Sequence, residues 1–262
     1  MRNRVFVFVM LAAVLASMSS CNCGQNRPQK YVLTLEPLAK ADEQPLLDVK
    51  TPVAIWDDST VLSSAHPTLE GDNFVLVPDD STVLNGVVHM VYPADAFMLG
   101  EGCVAINTVQ QLLPMGENMV YYGETTESEP NAVALKAVGG VLRLRLTTPE
   151  KLSKVEISTA DSNRYMAGVF GVTNYPFPVL TATEQSVRCL ELTGLESVDF
   201  AQSAEVCCCM APGCYKTFTV VMTATDGRTC TKSLKEGKEV VLDRNRVCTV
   251  NLGSQEEPLV FE

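Results

Sequence analysis

After residue 30 the chain keeps one rhythm: short runs of Val, Leu, Thr and Tyr, each closed by turn residues at a spacing of roughly ten. Runs of that length are too short to present a helical face to a core. They suit strands, whose alternate side chains point to opposite sides of a sheet. The candidates are Tyr31–Leu35, Val53–Trp56, Phe74–Val77, Val87–Tyr92, Val141–Leu146, Val155–Ser158, Val187–Leu192, Val206–Met210, Phe218–Thr223, Val240–Leu242 and Val247–Leu252. Asn85-Gly86 and Asp226-Gly227 supply turn chemistry, because Asn, Asp and Gly accept positive φ at little cost. No amphipathic pattern sustains a helix of more than two turns. Gly123–Pro130 is acidic and strand-poor, and it divides the expectation into two β-sandwich domains in tandem, 31–130 and 131–253.

The first twenty residues belong to a different logic. Arg2 and Arg4 precede an unbroken apolar run, Val5–Ala16, of twelve residues. A spanning helix needs about 20, so the run reads as a secretory signal over residues 1–20. Ser19-Ser20-Cys21 resembles a bacterial lipoprotein signal, which implies cleavage between Ser20 and Cys21 and acylation of Cys21, palmitate included. Acyl chains contribute about 0.8 kcal/mol per buried methylene, enough to hold the protein on a membrane without a spanning segment. Residues 21–30, from Cys21 to Lys30, lack periodicity and read as a lipidated tether.

Charge narrows the partners. The chain of 262 residues carries 31 Asp+Glu against 20 Lys+Arg, net -11; without residues 1–20 the balance is 18 against 31, net -13. Nucleic acid and anionic membrane surfaces require clustered Lys and Arg, so nucleic acid is not an expected partner. An apolar content of 46% excludes a disordered chain.

Little in the sequence carries chemistry. Asp57-Asp58-Ser59-Thr60-Val61-Leu62 recurs as Asp79-Asp80-Ser81-Thr82-Val83-Leu84, which reads as two Asx-type turns, with a shared calcium site as the sharper alternative. Nine cysteines follow Cys21, among them the run Cys207-Cys208-Cys209 and nearby Cys214. On a strand Cys207 and Cys209 share one face and Cys208 takes the other, so the run does not converge on one ion. Small core hydrophobes are the first reading of these thiols; disulfides among Cys189, Cys230 and Cys248 are the second, and a metal site the third. His66 lies in a loop and His89 on a strand. Gly100-Glu101-Gly102-Cys103-Val104-Ala105 matches a dinucleotide pattern by letter only, without a βαβ unit around it. The chain is therefore expected to be no enzyme and to hold no cofactor or metal.

The C-terminal half carries a resemblance. Lys136-Ala137-Val138-Gly139-Gly140-Val141-Leu142-Arg143-Leu144 resembles the strand opening the second domain of the fimbrillin-like family, subunits and associated lipoproteins of type V pili in Gram-negative anaerobes. Lys154-Val155-Glu156-Ile157-Ser158 with Met166-Ala167-Gly168, and Ala211-Pro212-Gly213-Cys214-Tyr215-Lys216 with Phe218-Thr219-Val220, are similar to that family's next elements. Asp226-Gly227-Arg228 and Leu242-Asp243-Arg244-Asn245-Arg246-Val247 complete the order. Trp56-Asp57-Asp58 and Tyr92-Pro93-Ala94 match more loosely. The resemblance implies two transthyretin-like sandwiches and a structural role in a fimbrium at the outer membrane and cell surface, supporting adhesion. It also implies a trypsin-like cut after Lys40 or Lys50 that removes strand Tyr31–Leu35 within segment 31–50. A donor strand from another pilus subunit then fills the groove, and the tail 254–262, with Leu259, Val260 and Phe261, is the candidate donor. Partners on this reading are other pilus subunits, the outer membrane through the lipid, and a host or glycan surface. The contrasting expectation is an outer-membrane β-sandwich lipoprotein that binds glycan or another surface ligand without polymerising, with Trp56 or Tyr121-Tyr122 as the candidate sugar platform.

Overall fold

The computed structural model describes residues 29–39, 44–58, 63–78, 84–98, 102–114, 117–174, 176–235, 237–254, 256–257 and 259–262. Ser20, Cys21, Lys40, most of the two Asp-Asp-Ser-Thr copies and Gly100-Glu101 lie outside them. In chain order the strands are β1 (Tyr31–Leu35), β2 (Val53–Asp57), β3 (Ser63–Ala65), β4 (Thr68–Glu70), β5 (Asn73–Leu76), β6 (Val88–Tyr92), β7 (Phe97–Met98), β8 (Cys103–Ile106), β9 (Val109–Gln111), β10 (Tyr121–Glu124) and β11 (Ala132–Ala137). They continue as β12 (Gly140–Leu146), β13 (Leu152–Thr159), β14 (Ala167–Asn174), β15 (Pro178–Val187), β16 (Cys189–Thr193), β17 (Ala204–Met210), β18 (Gly213–Tyr215), β19 (Phe218–Ala224), β20 (Thr229–Ser233), β21 (Val240–Leu242) and β22 (Val247–Leu252). One 3-10 turn, Ala94–Ala96, is the helical content among the described residues. The protein is all-β.

Five sheets result. An eight-stranded sheet runs β3-β2-β6-β10-β11-β1-β5-β4, and a three-stranded one β17-β12-β22. A five-stranded sheet runs β20-β19-β13-β16-β9, a four-stranded one β15-β14-β8-β7, and β18 pairs with β21. Alternation explains most of the packing. On β19 the pattern is inward at Phe218, Val220, Met222 and Ala224 with half-buried residues between. β2 breaks the rule because both its faces are covered. Val53 and Ile55 enter the main core, while Ala54 and Trp56 enter a second cluster with Val91, Tyr122 and Val138. Phe97, Val104, Val172 and Leu180 from the four-stranded sheet close that second cluster.

The main core is continuous from Tyr31 to Phe261. Strands from before residue 130 pair with strands from after it: β8 with β14, β9 with β16, and β1 with β11. Residues 125–131 form the loop of the β10–β11 hairpin within the eight-stranded sheet.

Gly139 and Gly140 mark where three backbones meet. A Cβ on Gly139 would lie 2.7 Å from the Met210 carbonyl oxygen, and one on Gly140 would lie 2.4 Å from that of Asp243. Only a bare Cα admits such an approach, which is why the β11–β12 junction reads Gly-Gly. Gly140→Ala is expected to destabilise the fold by about 1–3 kcal/mol through forced backbone displacement. Gly171→Ala, whose Cβ would meet nothing closer than 3.8 Å, is expected to stay within about 0.5 kcal/mol of the parent. Urea unfolding of the two variants checks the contrast.

Candidate functional site

The candidate site is the seat of β1. The strand is not at an edge. It lies parallel to β11, with Val32 opposite Ala132 and Leu35 opposite Leu135, and antiparallel to β5, with Tyr31 opposite Leu76 and Leu33 opposite Phe74. Tyr31 is 1% exposed and Leu33 2%, while Thr34 faces solvent, so the strand fills two apolar seats in the core. Each such burial contributes roughly 1.5–3 kcal/mol. Burial, reinforced by the Asp57 carboxylate, pushes the Tyr31 hydroxyl above its ordinary pKa, so it stays neutral in its seat.

The residues after β1 are held separately. Glu36 donates its backbone amide to the Leu135 carbonyl (2.8 Å). Its carboxylate accepts from Arg244 Nη2 (2.8 Å), from Arg244 Nη1 and from the Ala137 amide (3.0 Å). Arg244 also donates to the Ala137 carbonyl (2.9 Å) and lies 4.7 Å from the centre of the Phe177 ring. Bidentate, charge-assisted bonding of this kind is the strong class, and both side chains are largely withdrawn from water. Asn245 adds two links, donating from Nδ2 to the Pro37 carbonyl (2.8 Å) and accepting from the Ala39 amide at its own carbonyl (3.1 Å). Asn245 can do so because it adopts φ +57, the left-handed region that Asn tolerates. Leu38, 1% exposed, completes the foothold.

Of the two candidate cleavage residues, Lys50 is exposed, in a turn capped by Asp48. The Asp48 carboxylate accepts from the Lys50 amide (3.0 Å) and the Thr51 hydroxyl (3.1 Å), which holds its pKa below the usual range. An open cleft of about 760 Å³ adjoins this turn, lined by Leu47, Tyr92, Met119 and Tyr121 with Asp95 and Glu117.

The tail is docked on its own chain. Leu259 and Phe261 are buried in the main core and Val260 is exposed, the alternation of a strand. The Leu259 amide donates to the Thr147 carbonyl (3.2 Å), and Glu262 exchanges two backbone bonds of 2.9 Å with Thr229 at the outer edge of β20. The Val260 amide also faces the Cys230 sulfur. The sequence identifies the apolar tail but not this seat; it gives Glu36 no role and Arg244 and Asn245 only a place in the segment leading to the last strand.

The other candidates are structural. Trp56 stacks on His89 (centroids 5.4 Å apart) and Phe97 (4.4 Å), and His89 Nδ1 lies 2.8 Å from the Tyr122 hydroxyl. Trp56, Tyr121 and Tyr122 are all buried, so none presents a ring to a sugar. Cys189, Cys230 and Cys248 are free thiols on β16, β20 and β22, in line with the first reading of the cysteines as unpaired and not with the second, disulfides among these three. Cys208 and Cys209 are buried core residues, with burial pushing the Cys208 thiol up and that of Cys209 to about 12. Gln110 caps Cys209 by accepting from its amide (2.8 Å) and donating to its carbonyl (2.7 Å). Among the described residues no group of His, Cys, Asp or Glu is arranged to hold a metal.

No protein-family model matches the chain, and no curated protein matches it in sequence. Several solved structures resemble it at low identity, three of them as follows. A candidate cell adhesion protein from Bacteroides ovatus has 12% identity and a TM-score of 0.57, covering 90% of this chain and 95% of its own. A second candidate cell adhesion protein, from Bacteroides fragilis, has 12% identity and a TM-score of 0.45 over 94% and 92%. The fimbrial anchor protein Mfa2 from Porphyromonas gingivalis has 13% identity and a TM-score of 0.35 over 79% and 83%. The first of these shares the all-β fold along nearly the whole chain.

Thiol reactivity checks the packing. Maleimide at neutral pH is expected to label the exposed Cys189 in the native protein, and Cys208 and Cys209 only after unfolding. Deleting residues 259–262 is expected to open Cys230 to labelling as well, because the tail covers it; mass spectrometry of digests reads all four sites.

Proposed function

We propose that the chain is a structural, non-enzymatic fimbrillin-like lipoprotein, a subunit or an anchor or tip component of a type V pilus. On this reading the signal at 1–20 is removed, Cys21 is acylated, and the protein sits on the outer membrane facing the fimbrium. The fold shared with the Bacteroides ovatus candidate adhesion protein supports an adhesive surface role. Two transthyretin-like sandwiches belong to the same reading, joined through the strand pairs that cross residue 130.

The observation that carries it is the seat of β1. A strand near the start of the chain, buried on alternate residues and paired on both sides, leaves an apolar slot between β5 and β11 when it goes. The slot exposes two rows of unpaired backbone groups, the template on which a strand from another chain can be added. Lys40 and Lys50 follow β1 in sequence, so a cut after either frees it from the body. Leu259 and Phe261 supply two apolar side chains at the spacing of Tyr31 and Leu33. The glycan-binding alternative has no comparable feature, since its aromatic candidates are buried.

Trypsin titration of the protein starting at Asn22 tests the proposal. The expected result is a cut after Lys40 or Lys50, located by mass spectrometry, followed by a ladder of oligomers on unboiled SDS gels. A cut chain that stays monomeric at all concentrations would overturn self-assembly.

A further inference from the structure

We infer that the tail of a second copy enters the β1 slot in the direction opposite to β1, with Glu256 taking the place of Glu36 against Arg244. This rests on the strand-exchange reading above and specifies the register of its interface. Read backwards, Phe261-Val260-Leu259 reproduces Tyr31-Val32-Leu33, large aromatic, Val, Leu. Continuing backwards, Pro258 and Glu257 fall at Thr34 and Leu35, and Glu256 falls at Glu36. The mismatches lie where β1 is exposed or half-buried, and the matches at its two buried seats and its ion pair.

Three observations favour this direction over the parallel one. The tail already alternates inward, outward, inward at Leu259, Val260 and Phe261, so these three present the same face, and only the Ser254–Glu257 turn has to open to bring Glu256 into line. Removing residues up to Lys40 strips Arg244 of the Glu36 carboxylate, and a largely buried guanidinium left unpaired is costly, so a carboxylate arriving at that place is strongly selected. Read forwards, the tail puts Leu259 in the Tyr31 seat and Phe261 in the Leu33 seat, reversing the sizes that β1 places there, and its Glu262 falls at the exposed Thr34 position and not at Glu36. Direction also alters the ladders. The longer pairing, four positions with β11, becomes antiparallel, and the shorter one with β5 becomes parallel. Antiparallel pairing is slightly more stable per residue, which favours the incoming strand over the one it replaces.

A labelled peptide of Ser254–Glu262 tests the inference on the cut chain, freed of its fragment through Lys40 and checked by intact mass. The peptide has no Lys or Arg, so trypsin leaves it whole. Should trypsin spare Lys40, a specific protease site placed at residues 40–43 provides the same cut. The peptide is expected to bind, and Glu256→Gln in the peptide to weaken binding at least tenfold. That penalty should vanish on Arg244→Met protein. Exchanging the two apolar residues, Leu259→Phe with Phe261→Leu, should also weaken binding at least tenfold; these peptide variants leave folding of the protein untouched. No binding, no Glu256→Gln penalty, a penalty that persists on Arg244→Met, or equal binding of the exchanged peptide each overturns the inference. Peptide bound in this pattern by a cut chain that forms no ladder overturns self-assembly and leaves the register standing. A ladder formed equally well by chains carrying Glu256→Gln does the reverse.

Discussion

The insertion of β1 between β5 and β11 is the contact on which the eight-stranded sheet depends. Its partners come from far along the chain: Val32 meets Val75 on one side and Ala132 on the other. Without it, β5 and β4 have no hydrogen-bonded connection to the rest of that sheet. Yet β1 is short, and the segment that leads from it to β2 carries both Lys40 and Lys50. A strand so placed is both indispensable to the closed sheet and separable from it by a single cut. The same physics that stabilises it, buried alternate side chains and a satisfied backbone on both sides, describes what an equivalent strand would gain by replacing it.

The second foothold changes the energetics of removal. Glu36, Pro37 and Ala39 are tied to Arg244 and Asn245, residues that lead into β22. Phe177, at the β14–β15 turn, stacks under Arg244 and also lies 5.4 Å from the Lys136 ammonium. The node thus joins the exit of β1, the end of β11, the β14–β15 turn and the approach to β22. Gly139 and Gly140 let those backbones meet. Because Glu36 lies before Lys40, its carboxylate would leave with β1, and the vacancy it leaves beside Arg244 is a charged one rather than a purely apolar one. That distinguishes the slot from a generic sheet edge and makes it selective.

How much of this the sequence discloses depends on the kind of contact. β1, β21 and β22 run within the same bounds as the runs of Val and Leu that predict them, because their alternation is clean. β14 and β15 were not evident: Gly168 and Gly171 interrupt the apolar pattern, and β15 is a mostly exposed edge strand of Thr, Ala, Glu and Gln. β11 was absorbed into the opening of β12, since Gly139-Gly140 does not announce a strand end. Cys208 and Cys209 were legible as core residues from their apolar strand context. The pairing of Glu36 with Arg244 spans 208 positions and has no local signature. Likewise, the tail's apolar character is readable, but its seat against Thr147 and Thr229 is set by three-dimensional neighbours alone.

The central claim is that the slot holding β1 changes occupant. An image reconstruction of the assembled polymer, at a resolution that traces side chains between β5 and β11, addresses it directly. The account predicts residues 256–261 of a neighbouring copy in the slot, with Phe261 in the Tyr31 seat and Glu256 beside Arg244. Density for the chain's own residues 31–36 in that place would contradict it.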